Sequence, residues 1–195
     1  MTWNVAELAV TASWWVFLAY WIIVGRRVNR TAEQEKWSSR LPHMVIMVGA
    51  FTILFWKGMP LGILDRRLLP GRPTIWAVGI AIAWLGVALA IWARNHIGQY
   101  WSSRVTLKEG HQLIRSGPYA WVRHPIYSGL LLAVMGTAIV MGRWRDVVAV
   151  LLVFLAHWFK ARKEEALMVR QFGSTYEDYK RETGSLIPRL RSTSG

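Results

Sequence analysis

The sequence predicts an all-α integral membrane protein with about five transmembrane helices, the last two forming a helical hairpin. Three observations carry this. Of 195 residues, 53% are hydrophobic and 13 are tryptophan, and the mean hydropathy is +0.24, more apolar than a soluble domain of this size. The apolar residues gather into long runs nearly free of charge. The cations, 24 Lys and Arg against 11 Asp and Glu, stand between those runs rather than inside them. The pI near 10.9 therefore reads as a topology signal and an attraction to anionic lipid, not as a nucleic-acid surface. A chain this apolar is not disordered. It has no cysteine, which excludes a disulfide scaffold, a thiolate zinc site and a cysteine nucleophile; no metal site is expected.

The runs follow in order. Trp3–Val24 carries one charge, Glu7, and stops at Arg26-Arg27. Leu41–Trp56 is uncharged, and its apolar character resumes past Lys57 as far as Leu64. Pro73–Ala93 is uncharged over 21 residues between Arg72 and Arg94, the length a bilayer core requires. Pro125–Gly142 is uncharged, and Val147–Phe159, 13 residues, follows Arg143-Trp144-Arg145-Asp146. So brief a connection forces these two segments into an antiparallel hairpin. No cleavable signal peptide is expected, because a basic start is missing and the first apolar run is long. Residues 1–195 read as one domain without internal repeats: three N-terminal helices over 1–93 and a region over 94–190 that holds the distinctive motifs.

Orientation follows from counting. The 26–40 loop, the 94–124 loop and the tail from Lys160 hold 18 Lys and Arg, whereas the N-terminus, the 57–72 loop and the 143–146 turn hold 6. The positive-inside rule places the first set in the cytoplasm, with the N-terminus outside and the C-terminus inside, most simply in a plasma membrane. Trp3, Trp21, Trp37, Trp56, Trp76, Trp92, Trp144 and Trp158 fall near span ends, where interfacial anchors belong.

The 94–124 connection is far longer than helix links normally are, and such loops are functional or disordered. This one holds Tyr100, Trp101, His111, Leu113, Ile114, Tyr119 and Trp121, too apolar for disorder. It runs through Gly117-Pro118-Tyr119 into Arg123-His124-Pro125. Pro125 suits the first turn of the fourth helix and puts His124 at its N-cap. A helix start with an arginine and a histidine beside it is a seat for a carboxylate; the alternative is a topology arginine next to an interfacial histidine. Glu164-Glu165 follows the fifth run. If that helix continues unbroken, the pair lies near a helix end that disfavours negative charge, so something cationic should offset it. Pairing with Lys160, Arg162 or Lys163 along the helix would do so at a few tenths of a kcal/mol. Taken together, cations for a carboxylate and carboxylates for an ammonium or ribose hydroxyls suit a nucleotide that carries an amino acid.

The blocks His111-Gln112-Leu113, Ser116-Gly117-Pro118-Tyr119-Ala120-Trp121-Val122-Arg123-His124-Pro125-Ile126-Tyr127-Ser128-Gly129, Glu164-Glu165-Ala166-Leu167, Phe172-Gly173-Ser174-Thr175-Tyr176-Glu177-Asp178-Tyr179 and Leu186-Ile187-Pro188 occur in one order over residues 94–190. Together they resemble the isoprenylcysteine carboxyl methyltransferase family. The related phospholipid N-methyltransferases share the Arg-His-Pro and Glu-Glu signatures. The resemblance implies S-adenosyl-L-methionine as methyl donor, S-adenosyl-L-homocysteine as product, and a cytosolic cofactor pocket built from the 94–124 loop and the C-terminal helix. The cofactor residues it suggests are His111, Leu113, Gly117, Pro118, Tyr119, Arg123, His124, Pro125, Tyr127, Gly129, Glu164 and Glu165. Within that set, His124 with the helix start would hold the methionyl carboxylate, Glu165 the ribose or ammonium, and Tyr119 would pack near adenine. Arg123, Glu165 and Arg94 are the catalytic candidates. Eukaryotic members place an arginine upstream to receive the acceptor carboxylate, and Arg94, or Arg162 in its stead, is the candidate here.

Methyl transfer of this kind needs alignment more than covalent chemistry. A carboxylate acceptor needs no base, whereas an ammonium acceptor must first lose a proton. The acceptor is expected to be a lipophilic small molecule or lipidated group entering from the bilayer. Prenylated cysteine, an aminophospholipid, a small thiol and an isoprenoid acid all stay open, and so does the oligomeric state. Two alternatives come from other classes: a haem-binding membrane protein, through His43 and His157 in or beside apolar runs, and a non-catalytic scaffold or transporter subunit.

Overall fold

The computed structural model describes residues 4–24, 37–56, 58, 60–98 and 113–189. These form six α-helices: α1 (Val5–Val24), α2 (Trp37–Phe55), α3 (Pro73–Ile97), α4 (Pro125–Met141), α5 (Trp144–Phe172) and α6 (Ser174–Glu182). Short 3-10 turns stand at Gly62–Asp65 and Gly117–Ala120. By length and composition α1 and α3 can cross a membrane, and α4 and residues 41–55 of α2 are shorter apolar helices.

The first four helices keep close to the apolar runs, with three differences. α2 begins at Trp37, four residues ahead of Leu41. α3 runs four residues beyond Ala93, so Arg94 belongs to a helix rather than to a loop. Gly98 ends it with φ +55, and the Tyr20 hydroxyl of α1 donates to Asn95 Oδ1. The apolar stretch after Trp56 does not extend α2, which stops at Phe55. The fifth run is the core of a much longer helix. α5 has 29 residues, about 43 Å at 1.5 Å per residue, and everything past Phe159 extends beyond the apolar part.

The bundle is organised by a seam of small residues. Gly79, Ala83, Gly86, Ala90 and Ala93 on α3 are all buried, and so are Gly129, Ala133 and Gly136 on α4. Both sets repeat at alternating steps of four and three, so each presents one continuous stripe. A Cβ at Gly86 would lie 2.4 Å from Ala133 N and 2.5 Å from Gly129 O. The two backbones are therefore in direct, antiparallel contact, the close approach small residues permit in membrane bundles. Trp14 of α1 closes over this pair; its indole N–H donates to Thr137 Oγ1 at 2.9 Å, and its ring meets Phe51 edge-on at 4.9 Å. Leu54, Val87, Leu131, Val134 and Val153 complete that core.

The outer faces are apolar. Trp15, Ile22 and Ile23 on α1, Val45 and Val48 on α2, Leu85 on α3, and Leu151, Leu155 and Phe159 on α5 are all exposed. A belt of this extent marks a surface that meets lipid or another apolar phase.

The α4–α5 hairpin turns on Gly142 and Arg143 alone. Its end of the bundle is stitched to the 61–70 segment: Gly142 O accepts from Leu68 N at 2.8 Å and Leu69 N at 3.2 Å, and Arg66 O accepts from Trp144 N at 3.2 Å. Two ion pairs stand here, Arg143–Asp146 and the pair of buried Arg145 with half-exposed Asp65, both at 3.1 Å.

Candidate functional site

At the opposite end, Pro118 and Pro125 bracket the entry into α4. His124 takes the N-cap with φ −124, and its carbonyl accepts from Ser128 N at 3.0 Å to begin the first turn. The C-terminal segment returns to lie alongside this entry. Arg123 N donates to Gly184 O at 2.9 Å, His124 N donates to Ser185 O at 3.1 Å, and the Ser128 hydroxyl donates to Leu186 O at 2.6 Å. Gly184 permits the return, because a Cβ there would fall 1.7 Å from Ile187 O.

The extension of α5 carries Glu164 and Glu165 into the same place. Arg123 Nε donates to Glu165 Oε1 at 2.9 Å, and its Nη1 donates to the carbonyls of Lys180 and Thr183. The His124 ring lies between the two acids, Nε2 at 3.3 Å from Glu165 Oε1 and Nδ1 at 3.3 Å from Glu164 Oε2. The Tyr127 hydroxyl donates to Glu164 Oε1 at 2.6 Å, and the Ser185 hydroxyl donates to Glu165 Oε1 at 2.8 Å. The His124 and Tyr127 rings stack at 5.5 Å, and the Lys160 ammonium sits 5.5 Å from the Tyr127 ring centre.

Charge balances in this cluster. Two carboxylates face a guanidinium and an imidazole, and the ion pairs are nearly excluded from water. Burial by itself would raise the Glu165 carboxyl; hydrogen bonds from His124, Arg123 and Ser185 outweigh it and hold the group down at about 2. Burial likewise opposes the charged forms of His124 and Glu164. Their mutual hydrogen bond, with Glu165 acting on His124 and with Lys160 and Tyr127 acting on Glu164, leaves the imidazole raised and the carboxyl lowered. The group is stable as ions only because each member is partnered.

Other predicted residues are distributed around this cluster. Pro118 and Tyr119 are buried in the 3-10 turn; the Tyr119 hydroxyl donates to Ala93 O at 3.4 Å, and its own carbonyl accepts from Tyr179 at 2.5 Å. Gly117 presses on the His96 ring. Pro125 is the buried first residue of α4, and Leu113 is half-buried ahead of the 3-10 turn. Gly129 faces Gly86 O and Ala90 N, which places it in the α3–α4 seam. Arg94 is 3% exposed and donates to Gly98 O at 2.8 Å, whereas Arg162 is exposed and lies against Trp158. His111 lies outside the described residues. His43 and His157 meet edge to face at 5.5 Å, each beside a carbonyl of α5, so no porphyrin fits between them. Ser185 is the member that sequence reasoning missed; its only signal was its place next to Leu186-Ile187-Pro188.

The cluster keeps one acceptor open. All three hydrogen bonds to Glu165 end on Oε1, so among the described residues Oε2 has no donor although the residue is 7% exposed. No side chain caps α4 either, and Pro125 at its first position has no N–H to offer.

Residues 78–170 match the family model for the isoprenylcysteine carboxyl methyltransferase (ICMT) family. Over these residues, just under half of its length, the chain is similar to that family. Among relatives, a protein-S-isoprenylcysteine O-methyltransferase of Schizosaccharomyces pombe is 38% identical over 112 residues, which make up 54% of this chain and 46% of that one. A methanethiol S-methyltransferase of Mycobacterium tuberculosis is 28% identical over 159 residues, 76% of this chain and 63% of that one. The fold is similar to that of the eukaryotic intramembrane Ras methyltransferase ICMT, with TM-score 0.62 and 23% identity over 93% of this chain and 64% of the other. The chain thus spans between about half and two thirds of these relatives' lengths. The ICMT match holds Arg123, His124, Glu164 and Glu165 but stops before Ser185.

Proposed function

We propose that this chain is an integral membrane methyltransferase of the EC 2.1.1 class. It would use S-adenosyl-L-methionine to methylate a lipophilic acceptor at the membrane–cytosol boundary, most like isoprenylcysteine carboxyl O-methylation. The observation that carries the reading is the meeting of Arg123, His124, Glu164 and Glu165, residues far apart in sequence, around one carboxylate oxygen left open.

The donor set fits the cofactor. Oε2 of Glu165 suits ribose hydroxyls or the ammonium, and the uncapped start of α4 suits the methionyl carboxylate. Tyr119 and the Gly117–Ala120 turn stand beside this start for the adenine. His124 acts through the two carboxylates rather than on the ligand carboxylate, since both ring nitrogens already face them. When bound, the cofactor supplies an activated methyl on a sulfonium. The chain's own residues hold and align the reactants, where favourable positioning is worth about 7–11 kcal/mol, and they exclude water, which strengthens attraction between opposite charges.

The one open acceptor, Oε2 of Glu165, belongs to a carboxyl held at about 2 and is a weak base, which favours an acceptor already anionic, such as a carboxylate. The belt of exposed apolar residues supports entry of that acceptor from the bilayer, with the N-terminus outside and the site facing the cytoplasm. A second reading, S-methylation of a small thiol, draws on the M. tuberculosis relative, which matches the larger share of this chain.

Calorimetry with S-adenosylhomocysteine tests the site. The wild type should bind it, and Glu165→Ala should weaken binding far more than folding. Equal affinity in a monodisperse variant would remove Glu165 from the site. Incubating membranes with labelled methyl donor and identifying the labelled extract distinguishes a methyl ester from a thioether.

A further inference from the structure

The three donors on Glu165 come from two separate parts of the chain. Arg123 and His124 belong to the entry of α4, while Ser185 belongs to the returning segment, past the end of α6. That segment is fixed by backbone hydrogen bonds at Arg123 and His124 and by Ser128 on Leu186 O, so the Ser185 hydroxyl arrives on a held backbone. Its hydrogen bond, at 2.8 Å, is the shortest of the three on Oε1. An oxygen approached by three donors has little capacity for another, and a carboxylate fixed through one oxygen has a fixed direction for its second.

We propose that Ser185 is a positioning residue: with Arg123 and His124 it pins Oε1 of Glu165, so that Oε2 is the oxygen presented to the hydrogen-bond donors of the ligand. The site is then complete only when the 183–187 segment is docked, although the family match ends at residue 170. The identity of the ligand rests on the proposed function; the pinning of Glu165 does not. The groups facing this carboxylate are Arg123 and His124 at the start of α4, Glu164 on α5, and Tyr176 and Tyr179 on α6.

Ser185→Ala and Ser185→Thr, in the full chain in detergent, test this with two readouts. In calorimetry with S-adenosylhomocysteine, Ser185→Ala should raise Kd about tenfold, the low end for a hydrogen bond to a charged group, and Ser185→Thr should restore it. In infrared titration, the protonated-carboxyl band assigned to Glu165 by its absence in Glu165→Gln should appear about one pH unit higher in Ser185→Ala. Ser185→Thr should behave as wild type. A merely structural serine would leave that band in place. Wild-type affinity together with an unmoved band in Ser185→Ala overturns the proposal. Failure of the wild type to bind S-adenosylhomocysteine overturns the functional reading instead, and the infrared band still decides the pinning.

Discussion

Adding one methyl at Gly86 tests whether the site rests on the α3–α4 seam. The added Cβ would stand 2.4 Å from Ala133 N and 2.5 Å from Gly129 O, where ordinary contact begins at 3.4 Å. Both obstacles are backbone and cannot rotate away, so the helices must part by about 1 Å, a gap that forfeits a quarter to a half of the dispersion energy of each contact it opens. Overpacking of this kind costs about 1–3 kcal/mol, set against a helix-propensity gain of about 1 kcal/mol for Ala over Gly. Counting the loosened contacts along the stripe, the net loss in Gly86→Ala should be about 2 kcal/mol, or a Tm lowered by about 4–8 °C in a chain of this size. Gly49→Ala is the control: nothing lies within 4 Å of its Cβ, so only the propensity term acts and Tm should rise slightly. Thermal scans followed by tryptophan fluorescence in detergent measure both. Equal stability of Gly86→Ala and wild type, or the same sign for both variants, would refute the close approach of the two backbones.

Two further outcomes follow from the site. Glu165 titrates at about 2 in the folded chain against an ordinary 4.5, so its contribution is complete above about pH 4.5 and is lost as pH falls from there through 2, on the order of 3 kcal/mol. The raised His124 acts in the other sense, contributing fully below its ordinary 6.5 and losing that contribution as pH rises through its folded value. Tm measured from pH 8 to 3 should therefore fall at both ends, and Glu165→Gln should flatten the acid side; an unchanged acid side in that variant counts against the ion pairs. Gly184→Ala drives a Cβ into Ile187 O at 1.7 Å and should release the 183–187 segment. Trypsin should then cut after Lys180 or Arg181 much faster than in wild type, which the same cleavage rate in both proteins would contradict.

Much of this was legible in the sequence because the main determinants are local. Runs with at most one charge marked α1, α3 and α4, the four-residue gap forced the hairpin, and Pro125 fixed both the start of α4 and the N-cap place of His124. Other features depend on partners remote in sequence. Arg94-Asn95-His96 reads as the polar start of a loop, yet it continues α3 because Tyr20 reaches Asn95, Ser116 reaches His96 and Gly98 accepts from Arg94. The length of α5 was hidden because the helix becomes amphipathic past Phe159, so an apolar count ends too early. Gly129 sits within a motif block and reads as a site residue, but its alternation with Ala133 and Gly136 is the signal of a packing stripe. Ser185 was invisible because a serine shows its purpose only when the chain folds back to Glu165.

The stitched turn at Gly142 also bears on how the molecule can deform. With Leu68, Leu69 and Trp144 bonded across the turn and Arg145 held to Asp65, the helices are clamped at that pole like the joined end of a pair of tweezers. Any splaying has its fulcrum there, and its amplitude grows along the helices until it is greatest where Glu165 lies. A ligand that must pass between the tips therefore works against the bonds of Arg123 and His124 to the two glutamates and against the 183–187 fastening.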